Sequence, residues 1–126
     1  MSKILVKKSG VQGRGVFANQ DIRRGRLIEV SPVLILSNTD TKRIGKTTLA
    51  NYHYEWGDNT FALAMGVGSL FNHSYSANAQ YYMDYKKKSI KFYAVRDIKR
   101  GDEIFINYNG DHNSTKKVWF DKKKCG

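Results

Sequence analysis

Short apolar or alternating runs recur along the 126-residue chain and predict a mostly β fold. Runs of about four to eight residues with side chains pointing alternately inward and outward are typical of strands. We therefore expect several small β-sheets. The predicted strands are Ile4–Val6, Gly15–Ala18, Leu27–Val30, Val33–Leu36, Phe61–Met65, Ala79–Met83, Ile90–Val95 and Glu103–Tyr108.

Two local elements add to this pattern. Ala79–Asp84 and Ser89–Val95 flank Tyr85–Lys88, which predicts a hairpin whose lysine-rich tip stays in solvent. Thr39–Tyr54 is the best helical candidate, because Ile44, Leu49 and Tyr52 share roughly one helical face. Gly45 and four threonines within that segment weaken the helical pattern.

The chain also contains one internal repeat with a constant offset of 76 residues. In each copy a β-run ends, an Asp-Ile-basic-Arg-Gly segment turns the chain, and a second β-run begins. Gly25 and Gly101 supply the residue that such a turn requires at positive φ. The first copy comprises Phe17, Ala18, Asp21, Ile22, Arg24, Gly25 and Ile28, and the second comprises Tyr93, Ala94, Asp97, Ile98, Arg100, Gly101 and Ile104.

Length and composition predict one domain over residues 1–126. No apolar stretch approaches the roughly 18 residues that span a bilayer, and the N-terminus lacks a secretory pattern. We therefore expect a soluble, intracellular protein, in the cytoplasm or in a host nucleus if a virus or pathogen delivers it. Cys125 is the only cysteine, which excludes an intrachain disulfide and a cysteine-based zinc site.

The formal net charge of +11 predicts attraction to polyanions. Nucleic acid, an acidic protein surface or a nucleic-acid-bound protein would all be drawn to such a field, and the attraction should weaken with salt. Basic faces that serve only solubility are equally common. The basic clusters are Lys7–Lys8, Arg23–Arg26, Lys86–Lys88, and Lys116–Lys117 with Lys122–Lys124.

Two polar segments are candidates for chemistry. Phe71-Asn72-His73-Ser74, followed by Asn78, places amide, imidazole and hydroxyl groups together, and these groups are costly to bury without hydrogen bonds. For that segment taken alone, a surface turn with a satisfied histidine is the favoured explanation. The glycine cluster Gly10–Val16 suits either close backbone contact with a ligand or a plain hairpin turn.

Histidines occur only at 53, 73 and 112, without metal-ligand spacing, so no metal site is predicted.

Taken in order, three motifs resemble those of the SET-domain protein lysine methyltransferases. They are Gly13-Arg14-Gly15-Val16-Phe17-Ala18, Phe71-Asn72-His73-Ser74 with Asn78, and Glu103-Ile104 through Asn107-Tyr108. The resemblance spans roughly Lys3–Asp111, which implies a core over about 3–111 and a basic, aromatic C-terminal tail over 112–126. It is greatest for minimal members without a zinc-binding segment after the catalytic tyrosine. It implies a SET-domain fold of several small sheets with a short helical insert. It also implies a knot-like C-terminal threading that brings Tyr108 next to His73.

The resemblance further implies an S-adenosylmethionine-dependent SN2 transfer of a methyl group to a lysine ε-amine. Tyr108 would position the amine, with Tyr52 as a second catalytic candidate and Tyr54 or Trp56 as competitors for that place. Gly13, Arg14, Gly15, Asn72 and His73 would bind the cofactor. Ile106, Tyr108 and Trp119 would line the substrate channel, with Phe120 as an alternative aromatic cap and a hydrophobic tail packed on the core as an alternative role for both.

The implied substrate is a protein lysine, of a histone or another nucleic-acid-associated protein. A domain of charge +11 cannot hold a basic tail by charge alone, so docking to nucleic acid or to an acidic surface is a further expectation. A homodimer that completes the site is compatible with the C-terminal aromatic residues. Two alternatives stay open at this point: an inactive SET-like peptide-binding module and a small basic nucleic-acid-binding β-domain.

Overall fold

The computed structural model describes residues 3–10, 13–44, 46, 52–57 and 60–116. In chain order the elements are β1 (Ile4–Lys8), β2 (Arg14–Ala18), β3 (Leu27–Ile35), α1 (Asn38–Ile44), β4 (His53–Gly57), β5 (Thr60–Ala64), a 3-10 helix (Gly66–Ser69), β6 (Asn72–His73), β7 (Ala79–Asp84), β8 (Ser89–Ala94) and β9 (Glu103–Ile106). Over these ranges, none of the helices has the length and apolar character needed to span a bilayer.

The strands form two sheets. One has the order β1-β2-β9-β6 and the other has the order β4-β5-β3-β8-β7. Neighbours are antiparallel except for β6 and β9, which run parallel with Asn72 opposite Phe105 and His73 opposite Ile106. The mostly β fold is therefore confirmed, as is the hairpin of β7 and β8 with its lysine-rich tip.

Two predicted strands, Leu27–Val30 and Val33–Leu36, are one continuous strand in the structure. Leu27–Pro32 of β3 pairs with β8, and Val33–Ile35 pairs with β5. Pro32 has no N–H to donate, but its carbonyl accepts a hydrogen bond from the Met65 amide at 2.8 Å, so the strand continues through it. The proline marks a change of partner in this strand.

The helix prediction over Thr39–Tyr54 is wrong at its C-terminal end, where His53 and Tyr54 lie in a strand. The helix α1 ends at Ile44, and Tyr54 lies in β4, antiparallel to β5. His53 of β4 stacks on Phe61 of β5 with ring centroids 3.7 Å apart, a cross-strand contact that stabilises the pairing of these strands. Leu49 and Gly45 lie outside the described residues.

One buried apolar cluster draws on both sheets. Val16 and Ile104 from the first sheet and Ile90 and Phe92 from the second are fully buried within it. Phe71, just before β6, stacks on Phe92 with centroids 4.5 Å apart. This contact fixes the start of β6 against the second sheet, and β6 carries two of the candidate site residues.

The internal repeat is a structural pair with approximate two-fold symmetry. Ile22 and Ile98 exchange both backbone hydrogen bonds, each 2.8 Å long. Gly25 N–H donates to the Ala94 carbonyl in one turn, and its equivalent Gly101 donates to Ala18 in the other. Both glycines have positive φ, 86° and 93°, as the repeat predicted. We call the segments Asp21–Arg26 and Asp97–Asp102 the twin turns.

Candidate active site

Asn72 joins the three sequence motifs at one point. Its side-chain amide donates to the Arg14 carbonyl at 3.0 Å and to Glu103 Oε2 at 2.8 Å. Arg14 belongs to the glycine motif on β2 and Glu103 opens β9, so one buried amide connects β2, β6 and β9. Removing this amide would leave a part-buried carboxylate and a carbonyl without their shared donor, which is costly.

The Glu103 carboxylate is held on its other side by Ser9, whose hydroxyl donates to Oε1 at 2.7 Å. Gly15 lies directly against this group. A Cβ on Gly15 would stand 2.9 Å from the Asn72 amide nitrogen and 3.0 Å from Glu103 Cδ, closer than Cβ atoms approach in proteins. The missing side chain at Gly15 therefore makes room for Glu103 and Asn72, whereas the sequence suggested that it makes room for a ligand.

His73 and Tyr108 are adjacent, as the predicted threading requires. The Tyr108 backbone N–H donates to His73 Nδ1 at 3.0 Å, and the two ring centroids are 5.1 Å apart. Because Nδ1 accepts this bond, a neutral His73 carries its proton on Nε2. The imidazole of His73 is buried, and Tyr75 packs edge-on against it at 4.5 Å. β6 thereby fixes the backbone of Tyr108.

Tyr108 keeps 39% of its surface exposed, and its hydroxyl donates to the Phe71 carbonyl at 2.8 Å. Burial raises the pKa of Tyr108 to about 12, and the neighbouring Tyr52 and Glu103 contribute in the same direction. The group therefore stays protonated at neutral pH. Since its hydrogen is directed at the Phe71 carbonyl, the phenol oxygen can act toward an incoming group only as an acceptor.

Further tyrosines surround Tyr108. The Tyr54 hydroxyl donates to the Gly68 carbonyl at 2.6 Å, and its ring packs edge-on against Tyr81 at 5.1 Å. Burial raises the pKa of Tyr54 well above its ordinary value, with smaller contributions from Tyr81 and Tyr108. Burial and the charge of Glu55 raise the pKa of Tyr81 to about 12. Tyr52 is more exposed and influences Tyr108 electrostatically. We call Tyr52, Tyr54, Tyr81 and Tyr108 the tyrosine cluster.

Of the three aromatic residues considered for the second position, the structure brings Tyr52 and Tyr54 to Tyr108. Trp56 is buried in the core and packs against Tyr85 of the hairpin tip, with centroids 4.7 Å apart. Tyr81 was missed by the sequence analysis, although its place in the alternation of β7 points it inward like Ala79. That alternation was the available signal.

Two buried side-chain amides, those of Asn78 and Gln80, hold the backbone around the candidate site. The sequence motifs did not identify this structural role. Asn78 donates to the Glu103 carbonyl at 2.9 Å and accepts from the Phe105 N–H at 2.8 Å, which fixes β9 beside the Asn72–Asn78 segment. Gln80 donates to the Gly110 carbonyl and accepts from the His112 N–H at 2.7 Å, so it anchors the chain after Tyr108. The contact of Asn78 with β9 is the one that the knot-like threading predicts.

The remaining predicted site residues differ in how exposed they are. Gly13 and Arg14 are exposed at the start of β2, and Gly13 has a positive φ of 72°. Ile106 is buried in the apolar core, with 1% of its surface exposed. Trp119 and Phe120 lie outside the described residues. Over the ranges that the structure covers, no group of three histidine, cysteine, aspartate or glutamate side chains could hold a metal ion.

Comparison with known proteins agrees with this geometry. The family model described as SET domain matches residues 13–109, which include all three motifs. The chain belongs to the SET-domain family. The predicted resemblance to SET-domain protein lysine methyltransferases is thereby confirmed for the family and the fold.

Individual relatives extend this match beyond the motifs. The chain is 36% identical over 121 residues to the H3 lysine-37-specific histone-lysine N-methyltransferase of Schizosaccharomyces pombe, covering 95% of this chain and 78% of that protein. The crystal structure of a candidate histone methyltransferase of Plasmodium falciparum aligns with a TM-score of 0.72 and 31% identity, over 95% of this chain and 98% of that one.

A more distant match shows the fold alone. A humanized mutant of the Chaetomium thermophilum Polycomb Repressive Complex 2, bound to an inhibitor, contains a chain that aligns with a TM-score of 0.71 and 23% identity. The alignment covers 83% of this SET-domain protein and 14% of that chain. The overall fold is therefore shared with a region of a much larger chain.

Proposed function

We propose that this SET-domain protein is a protein-lysine N-methyltransferase that uses S-adenosylmethionine as its methyl donor. The observation that carries the proposal is the placement of Tyr108, whose backbone is fixed by His73 and whose hydroxyl is directed at the Phe71 carbonyl. An oxygen held in this way can position an amine without forming a covalent bond to it. The named activity of the fission yeast relative supports the same reaction.

The residues present fit S-adenosylmethionine. Gly13 is exposed, and among the described residues other than its chain neighbours no atom lies within 4 Å of the place where its Cβ would be, so this side of Gly13 can approach a ligand. Asn72 fixes that backbone to β6 through the Arg14 carbonyl. The proposed cofactor-binding residues are Gly13, Arg14, Gly15, Asn72 and His73. The side chains of Asn72 and His73 would support the backbone of this site. When bound, the cofactor supplies an electrophilic methyl group on a sulfonium.

Aromatic side chains suit a cation of this kind. The faces and hydroxyl oxygens of the tyrosine cluster present electron density, and tyrosine rings attract cations at short range. Tyr52, Tyr54 and Tyr81 would enclose the path of the lysine side chain toward Tyr108. This environment also desolvates the lysine amine, which lowers its pKa and favours the neutral form that can attack.

The protonation state of Tyr108 limits its role. A phenol whose pKa is about 12 is a poor proton acceptor at neutral pH, so we assign Tyr108 to positioning rather than to general base catalysis. The amine would lose its proton to water before attack. The phenol oxygen would then accept a hydrogen bond from the neutral amine. This bond would orient the lone pair of the amine nitrogen toward the methyl group.

A histone is the substrate class we propose, because the named relatives act on histones or are described as doing so. This would place the activity in a nucleus. Ile106, the residue two positions before Tyr108, is proposed to influence how many methyl groups the site accepts. The side chain is aliphatic and fully buried, so its influence would act through the packing beneath Tyr108.

The proposal is tested by calorimetry with S-adenosylmethionine, followed by transfer of a labelled methyl group to purified histones. The wild type is compared with Tyr108→Phe and with a control, Tyr82→Phe, which removes an exposed hydroxyl on β7. We expect all three proteins to bind the cofactor. Wild type and control should transfer label, and Tyr108→Phe should be slower by on the order of 100-fold.

The two alternative functions give different results in the same experiment. Cofactor binding without any transfer by the wild type would favour an inactive SET-like module that binds peptides. Absence of cofactor binding would overturn the proposed function and leave a basic nucleic-acid-binding domain as the better description.

A further inference from the structure

The twin turns bring a set of cations to one face of the protein. The hydrogen bonds between Ile22 and Ile98 hold the two turns side by side, and each turn is also bonded through its glycine to the other copy. Six exposed basic residues belong to the turns or directly precede one of them, and we call them the basic patch. They are Arg23, Arg24, Arg26, Arg96, Lys99 and Arg100.

The carboxylates of the same turns are engaged with backbone groups. Asp21 Oδ1 accepts from the Arg100 N–H at 2.9 Å, and Asp97 Oδ1 accepts from the Arg24 N–H at 2.8 Å. Asp102 Oδ2 accepts from the Lys99 N–H at 3.3 Å. Over the described part of the chain, no cation of the basic patch forms an ion pair with a carboxylate. Six cations against three carboxylates leave the patch positive.

The turns that carry these cations are fixed by many bonds, so little backbone order has to be gained when a ligand binds. Arg24 and Arg100 occupy equivalent places, each directly before a glycine with positive φ. Because the Ile22–Ile98 bridge is antiparallel, the two turns leave it in opposite directions. The cations are therefore spread along the patch, which suits an extended polyanion better than a single small anion.

Five of the six cations are arginines. The planar guanidinium group bonds phosphate oxygens through two parallel N–H groups, whereas lysine acts as a point charge. Duplex DNA offers one negative charge per roughly 1.7 Å of its axis, so several arginines can each find a phosphate. We propose that the basic patch binds the phosphate backbone of double-stranded DNA.

The patch lies at the opposite end of β9 from Tyr108. It adjoins the start of β9, where Ala18 N–H donates to the Asp102 carbonyl, whereas Tyr108 follows the other end of the strand. At about 3.3 Å per residue, Asp102 and Tyr108 lie on the order of 15 to 20 Å apart. DNA on the patch would leave the tyrosine cluster accessible, which suits a substrate protein that is itself bound to DNA.

The test is fluorescence anisotropy with a 20-base-pair duplex over a series of salt concentrations, without cofactor. One variant carries Arg23→Ser, Arg24→Ser and Arg100→Ser, and the matched control carries Lys86→Ser, Lys87→Ser and Lys88→Ser at the hairpin tip. Both lose three positive charges from exposed positions. We expect the patch variant to bind about 10-fold or more weakly at moderate salt and to lose about 2 to 3 from its salt slope. The control should lose less than about 3-fold.

Several outcomes would overturn the proposal. Equal losses in the two variants would mean that net charge alone attracts DNA. An unchanged affinity in the patch variant would place binding elsewhere. Wild-type binding to polyglutamate or to single-stranded RNA as tight as to the duplex would identify a general anion surface or an RNA site. Because the assay measures binding alone, its result does not depend on methyl transfer.

Discussion

The backbone N–H of Tyr108 donates a 3.0 Å hydrogen bond to Nδ1 of His73. Tyr108 follows β9 and His73 lies in β6, two strands that are 30 residues apart in sequence and parallel in space. The bond fixes the backbone from which the Tyr108 phenol projects, so the imidazole acts through Tyr108. This relationship makes His73 a positioning residue in the proposed reaction.

Two substitutions of His73 test whether the hydrogen bond that its Nδ1 accepts is needed. In His73→Asn the side-chain oxygen can occupy nearly the place of Nδ1 and accept the Tyr108 N–H, whereas in His73→Leu no acceptor remains. We expect His73→Leu to lower kcat by on the order of 10-fold or more, and His73→Asn to recover part of that loss. Steady-state kinetics measures both. Equal activity of the two variants would show that the acceptor is unimportant.

The pH dependence of the reaction tests the role of Tyr108. Its pKa is raised to about 12, so its protonation does not change between pH 7 and 10. Any increase in kcat over that range should come from deprotonation of the substrate amine, and Tyr108→Phe should keep the same apparent pKa at a lower rate. Disappearance of the alkaline limb in Tyr108→Phe would identify Tyr108 as a base.

Gly15→Ala should destabilise the protein. The new Cβ would collide with the Asn72 amide and the Glu103 side chain, which are held by hydrogen bonds and cannot move cheaply. We expect a loss of about 1 to 3 kcal/mol in the free energy of unfolding, measured with urea. Gly10→Ala is the control, since no atom lies within 4 Å of its Cβ position. A Gly15→Ala protein as stable as the control would contradict the proposed packing.

Alkaline conditions should destabilise the fold through the tyrosine cluster. The pKa of Tyr81 is about 12 in the folded protein and about 10 in the unfolded chain, so the unfolded state loses this proton first as the pH rises. Stability is therefore retained below pH 10 and falls between about pH 10 and 12. Tyr81→Phe should reduce the loss of unfolding free energy between pH 9 and 11 by about 1 kcal/mol relative to the wild type, and an unchanged loss would contradict this role of Tyr81.

Much of the fold could be predicted from the sequence because the strands alternate and the twin turns repeat. Gly25 and Gly101 were identified from the repeat, and each has the positive φ expected of it. The segment around Tyr54 was predicted to be helical but is a strand. That strand depends on pairing with β5 and on the contact between Tyr54 and Tyr81, two residues that are distant in sequence. Local propensity contains no such information.

The candidate site was predictable in its residues but not in their contacts. Asn72, His73 and Tyr108 were recognisable as motifs, yet the sequence does not reveal that Asn72 joins Arg14 to Glu103 or that Gly15 packs on that pair. These contacts join positions 31 to 58 residues apart. They follow from the parallel pairing of β6 with β9, which no local pattern specifies.

The central claim is methyl transfer to a lysine of a histone. The most direct measurement is mass spectrometry of histone H3 after incubation with the protein and S-adenosylmethionine, with wild type and Tyr108→Phe in parallel. We predict methyl groups on one or a few lysine ε-nitrogens with the wild type and on the order of 100-fold less with the variant. Unmodified lysines in the wild-type reaction, under conditions where calorimetry shows the cofactor bound, would contradict the account.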